Sequence, residues 1–149
     1  MNPNCHRTYA TFRLIGDSIS PDEVTRRLDI SPSAGFAKGE TRRGLVTMSS
    51  ITQRTGIWTL STKLLSNSTS VEDHLRLLID RLRPVAAEIR SLVQDLNARS
   101  DVFCYWASAT GHGGPLVPAQ ILRELGDLGA DLGFDFYGPD GCADNNRHE

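Results

Sequence analysis

From Tyr9 to Ile15 the chain alternates, with Ala10, Phe12 and Leu14 on one face and Tyr9, Thr11 and Arg13 on the other. That is the period-two pattern of a half-buried strand. Gly16 ends the alternation, and a helix start follows: Ser20 suits the N-cap, Pro21 the first helical position, and Glu23 can reach back to close a capping box. The spacing predicts a helix over 21–28 with Val24 and Leu28 inward and Arg26 and Arg27 toward solvent. Ile30-Ser31-Pro32-Ser33 then leaves in extended form, because a residue before proline avoids the helical region.

Periodicity fades from Ala34 to Arg54. Gly35, Gly39 and Gly44 punctuate the basic run Lys38-Gly39-Glu40-Thr41-Arg42-Arg43, which predicts a long loop or irregular hairpin leading into a short strand near 45–48. Over 55–61, Trp58 and Leu60 share one face of a strand rich in β-branched and aromatic residues. The polar run 66–70 ends it, and Thr69 with Glu72, or Ser70 with Asp73, caps a helix whose Val71, Leu75, Leu78 and Leu82 form one apolar stripe. Glu72, Arg76 and Asp80 lie on its solvent side; Pro84 breaks or kinks it before a second helical stretch with Ile89 and Leu92 inward. Residues 102–107 are apolar on both faces, which predicts a central, most buried strand with helices on one side and loops or another subunit on the other. A helix over 118–128 closed by Gly129 precedes a final strand, 131–137, where Leu132, Phe134 and Phe136 alternate with Asp131, Gly133 and Asp135. Residues 139–149 hold too little apolar surface to pack, which predicts a disordered tail behind one α+β domain over 1–138.

Strand, helix, strand at both ends of the chain, with a helix pair between, predicts a ferredoxin-like two-layer α+β sandwich: a mostly antiparallel sheet backed by helices. Phe12 through Pro32, Trp58, Glu72-Asp73-His74-Leu75 through Pro84, and Asp135-Phe136-Tyr137 together resemble the domain-of-unknown-function 4279 family, mostly small bacterial proteins. The resemblance implies a fold and no reaction, since the family brings no established catalytic residues.

At 149 residues, 39% hydrophobic and 23% charged, the chain has the composition of an ordinary globular protein. No run approaches the ~20 apolar residues of a membrane span, and the first seven residues lack the apolar core of a secretory signal, so the expected location is the cytoplasm. Cys5, Cys104 and Cys142, odd in number and widely spaced, argue against a disulfide framework. The net charge of -2 hides an asymmetry: nine Lys/Arg face five Asp/Glu in residues 1–65, against seven and thirteen in 66–149. Such a dipole can steer a charged partner, but the balance is not the basic one of a nucleic-acid binder.

The candidate chemistry is sparse. Gly111-His112-Gly113-Gly114 has the make-up of a loop whose backbone N–H groups hold an oxyanion, but no Gly-x-Ser-x-Gly elbow supplies a nucleophile. A small ligand there would engage Gly111, His112, Gly113 and Gly114, with Asp135 as the neighbouring acid. His6, His74, His112 and His148 form no metal-ligand spacing with one another or with the cysteines, so neither metal nor cofactor is expected, and His74, early in its helix, is expected to face solvent or cap the packing. Arg26, Arg27, Lys38, Arg42, Arg43 and Arg54 can form one basic patch if the 34–54 segment folds over the first helix, and Trp106 and Tyr105 can anchor a protein interface if one sheet face lacks helices. The expectation is therefore a non-enzymatic protein-binding module, of immunity type or self-associating. The alternative is a small-molecule sensor or enzyme at His112.

Overall fold

The computed structural model describes residues 2–43 and 49–139. Strand β1 (Cys5–Gly16) leads into helix α1 (Pro21–Leu28), the short strands β2 (Ala34–Phe36), β3 (Thr41–Arg43) and β4 (Ser50–Thr52), and β5 (Gly56–Ser61). Helix α2 (Val71–Leu82), a 3-10 turn at Arg83–Val85 and helix α3 (Ala86–Asp95) cross to β6 (Arg99–Ser108). Helix α4 (Ala119–Leu128) then leads to β7 (Asp131–Tyr137). Five strands form one sheet in the order β2-β5-β1-β6-β7, antiparallel except for the parallel β6–β7 pair; β3 and β4 pair separately. The strand expected at 45–48 and most of the tail lie outside the described residues.

A mixed α+β architecture with a mostly antiparallel, helix-backed sheet therefore holds, but the strand path differs from the β-α-β-β-α-β order of a ferredoxin-like sandwich. β5 and β6 flank β1 as a split unit, whereas β6 and β7 are direct neighbours. The connection through α4 is long enough to return the chain in parallel. The middle strand is thus β1 rather than β6.

Helices α1, α2 and α4 turn their apolar stripes to the same sheet face, and α3 packs on α1 and α4. Phe12 and Leu14 of β1, Trp58 of β5, Leu75 and Leu78 of α2 and Ile121 of α4 are fully buried there, each contributing roughly 1.5–3 kcal/mol. Trp58 meets Phe12 edge to face at 6.4 Å, and its indole N–H donates to Thr25 Oγ1 at 3.0 Å. Gly56 pairs with Gly16 across the strands, and a Cβ on it would lie 2.7 Å from the Gly16 carbonyl oxygen and 2.8 Å from Ile19. The turn into α1 therefore rests directly on β5.

Three local expectations are corrected. Ser20 and Ser70 occupy the N-cap positions in extended backbone, but neither side chain caps its helix. Glu23 lies 3.9 Å from Arg27 instead, and Asp73 accepts from the Ser68 hydroxyl at 2.5 Å. Arg27 does not point freely to solvent: it joins α1 to α3 through Glu88 at 2.5 Å and Asp95 at 3.0 Å. His74 is wholly buried, with Nδ1 2.7 Å from Thr62 Oγ1 and Nε2 2.9 Å from the Ser68 carbonyl oxygen. A residue three positions into α2 falls on the helix face that packs on β1, which is why this histidine points inward.

Candidate functional site

Helices α1, α2 and α4 pack on one face of the sheet and α3 packs on α1 and α4, and among the described residues no helix covers the other face. That open face is set by the second phase of each strand's alternation. Tyr9 on β1 stands opposite Tyr105 on β6, with ring centroids 4.9 Å apart and planes 7° from parallel. Tyr137 on β7 continues the stack at 4.8 Å from Tyr105. These separations equal the spacing between neighbouring strands, so the rings stand on edge across three strands and spend their faces on one another. The outer face of Tyr9 carries two cations, the Arg7 guanidinium at 5.8 Å and the Lys63 ammonium at 5.7 Å from the ring centroid.

Beside this ladder, Arg13 and Asp101 form a two-pronged ion pair, Nε to Oδ1 at 2.7 Å and Nη2 to Oδ2 at 2.8 Å. The same guanidinium lies 4.8 Å from the Phe103 ring centroid. Phe103 in turn covers Gly133, where a Cβ would come within 2.6 Å of the ring, so glycine is what lets this ring lie down on β7. Hydrogen bonding to Asp101 holds the Arg13 guanidinium above its ordinary value, so it stays charged. The Tyr9 phenol is pushed up by burial and then by its neighbour Tyr105, and the Tyr137 phenol by donating to Asp135 Oδ2 at 2.9 Å.

The residues singled out in the sequence are distributed over both layers. Trp106 points to the helix side, 2% exposed and edge to face with Phe136; its indole N–H has no hydrogen-bond partner among the described residues. Its neighbour Tyr105 is the one on the open face. Arg26 is exposed on α1 in the helix layer, whereas Arg42 lies over the Phe36 ring at the margin of the open face, 4.8 Å from its centroid. Lys38 is paired with Asp17 at 2.5 Å, and Arg43 is exposed on β3. The basic residues are thus split between two surfaces.

Gly111, His112, Gly113 and Gly114 form an exposed loop after β6, organised by Ser108, whose Oγ accepts from the Gly111 N–H at 2.8 Å and donates to the His112 carbonyl oxygen at 3.3 Å. Between this loop and the end of β7 runs a groove of about 360 Å³ lined by Trp106, Ser108, Gly111, Gly113, Phe136 and Tyr137. The His112 imidazole makes no hydrogen bond among the described residues, and Asp135 is engaged by Tyr137 rather than by His112. The two form no acid–base pair. Cys5 and Cys104 are both buried, and burial pushes the Cys104 thiol up to about 12, far from a reactive thiolate.

A family model described as a domain of unknown function (DUF4279) matches residues 6–139, from the start of β1 to just beyond β7. The chain belongs to the DUF4279 family. No curated protein and no solved structure matches it. In this DUF4279 chain both sheet faces fall within the matched segment. Sequence reasoning singled out Tyr105 but missed the ladder that Tyr9 and Tyr137 build on either side of it, with its cations. The signal was present as three tyrosines of β1, β6 and β7 on the phase opposite the buried one.

Proposed function

We infer that this chain is a non-catalytic binding module that holds a protein partner on the helix-free face of its sheet. The observation that carries this reading is the ladder of Tyr9, Tyr105 and Tyr137, flanked by Arg7, Lys63 and Arg13, on a face no described helix covers. Tyrosine and arginine concentrate binding energy at protein interfaces because each offers a large apolar body with a polar tip. Arg7, Lys63, Arg99 and Arg42 outnumber Asp131 and Asp135 at this surface, so the partner it fits has an acidic face. Stoichiometric capture of one protein, as in an immunity-type role in a bacterial cytoplasm, needs area and anchors rather than reacting groups. A sensor or enzyme at His112 has less support, because Asp135 is taken by Tyr137 and no nucleophile lies in the loop.

The test is affinity recovery from the source cells with wild type, Tyr137→Ala/Arg42→Ala on the open face, and Arg26→Ala on the helix layer, each checked by light scattering. One stoichiometric acidic protein retained by wild type and Arg26→Ala but lost by the open-face variant supports the reading. A partner retained by the open-face variant refutes it. A mass of two chains that falls to one in that variant replaces the foreign partner with a second copy.

A further inference from the structure

We propose that the end of the sheet beside Tyr9 carries a binding site for a small oxyanion of the phosphate class, free or as the terminal group of a monoester. This site shares Arg7 and Lys63 with the cations flanking the ladder, but it needs no protein partner, so it can stand or fail apart from the protein-binding reading. A pocket of about 280 Å³ opens there, lined by His6, Arg7 and Thr8 of β1 and by Lys63, Ser66, Asn67 and Ser68 of the segment between β5 and α2. One face of the Tyr9 ring is covered by Tyr105, so Arg7 and Lys63 share the other. Neither forms an ion pair among the described residues, whereas Arg13, Arg27, Lys38, Arg76 and Arg83 all do. Two like charges held at one ring without a counter-ion repel each other, and an anion between them removes that cost.

The remaining polar groups of the pocket suit an anion as well. The Ser66 oxygen accepts from the Ser68 N–H at 3.1 Å, which leaves its hydroxyl proton free to donate, and the Asn67 amide has no partner among the described residues. The Ser68 hydroxyl is used on Asp73, on the helix side, and accepts from the Ser70 N–H. The Thr8 hydroxyl is spent on the Tyr105 carbonyl at 2.6 Å. The pocket is therefore lined by a guanidinium, an ammonium, an imidazole, a hydroxyl and an amide, a donor set that satisfies phosphate oxygens. The pocket has room for a phosphate with a small ester group.

Inorganic phosphate and methyl phosphate are titrated separately into the full chain at constant ionic strength, followed by calorimetry and by the backbone amide resonances of residues 6–8 and 63–68. Saturable binding is expected, weakened at least about tenfold in Arg7→Gln and in Lys63→Gln, each removing one charge-assisted contact, and unchanged in Arg42→Gln. Both target side chains are exposed, and Lys63→Met repeats the test with the apolar stem retained. Methyl phosphate binding as tightly as phosphate assigns the site to a terminal phosphate; phosphate alone assigns it to the free ion. Absence of saturation with either probe, or an equal loss in Arg42→Gln, overturns the proposal.

Discussion

Replacing Thr62 by valine removes one oxygen and adds a methyl group of nearly equal size, yet it should be among the most damaging changes in the chain. Thr62 is fully buried just past the last β1–β5 pair, Thr11 with Ser61. Its backbone N–H donates to the Ala10 carbonyl at 2.9 Å, and its hydroxyl oxygen accepts from the Ala10 N–H at 3.0 Å, so one side chain extends the sheet ladder by a step. The same hydroxyl reaches His74 Nδ1 at 2.7 Å. Because the Ser68 carbonyl on the other ring nitrogen can only accept, the proton sits on Nε2 and Nδ1 accepts from Thr62. Valine leaves the Ala10 N–H and His74 Nδ1 buried and unpaired, at ~1–3 kcal/mol each, or about 2–6 kcal/mol in total. Serine keeps the hydroxyl and loses one methyl, about 1 kcal/mol. Urea unfolding followed by circular dichroism, with a slope of ~2 kcal/mol/M, should place the Thr62→Val midpoint on the order of 1–3 M below wild type and Thr62→Ser within about 0.5 M of it. A valine variant as stable as the serine variant would refute this account of the network. The double variant Thr62→Val/His74→Leu should cost less than the sum of its parts, because both partners are then apolar.

Gly133→Ala pushes a methyl into the Phe103 ring and should cost about 1–2 kcal/mol in the same assay; a Phe103→Ala background should absorb most of that cost. The raised phenols of Tyr9 and Tyr137 mean the folded chain holds these protons more tightly than the unfolded one, so the stability they contribute is whole below about pH 10 and falls as pH rises through their raised values. Asp135→Asn should bring the Tyr137 titration back toward its ordinary value in an ultraviolet difference titration while leaving Tyr9 above it.

What could be read from the sequence was what neighbouring residues decide among themselves. The alternation in β7, the stripe of α2, the stop at Pro84 and the Gly129 C-cap in left-handed backbone all appear where spacing puts them. β2 and β4 escaped because three exposed or half-exposed residues carry no period, and their pairing is set by the strand opposite. The start of β1 escaped for a similar reason: His6 and Arg7 break the polar–apolar rhythm, but β6 pairs with this stretch down to Ser108. Arg27 and His74 were misplaced because the groups that draw them inward, Glu88 and Asp95 for one and Thr62 for the other, lie on elements far along the chain. The site was hidden by the same cause. Residues 102–107 are apolar on both faces, and only the placement of the helix layer on one of them separates Trp106, in the core, from Tyr105, on the open face.

Cross-strand aromatic pairs stabilise sheets on their own account, so the ladder needs to be divided before binding is assigned to all of it. Tyr105 is only 8% exposed because Tyr9 and Tyr137 enclose it, and it has little surface left for a partner. Its work is to hold the outer rings at strand spacing. Tyr137 is 37% exposed at the edge strand, and Tyr9 brings to its outer face two cations that form no ion pair among the described residues. A purely structural stack would gain nothing from drawing Arg7 and Lys63 together without an acid between them, since their repulsion offsets the cation–π attraction. The two ends of the ladder, rather than its centre, are therefore where this sheet face is built to meet something else.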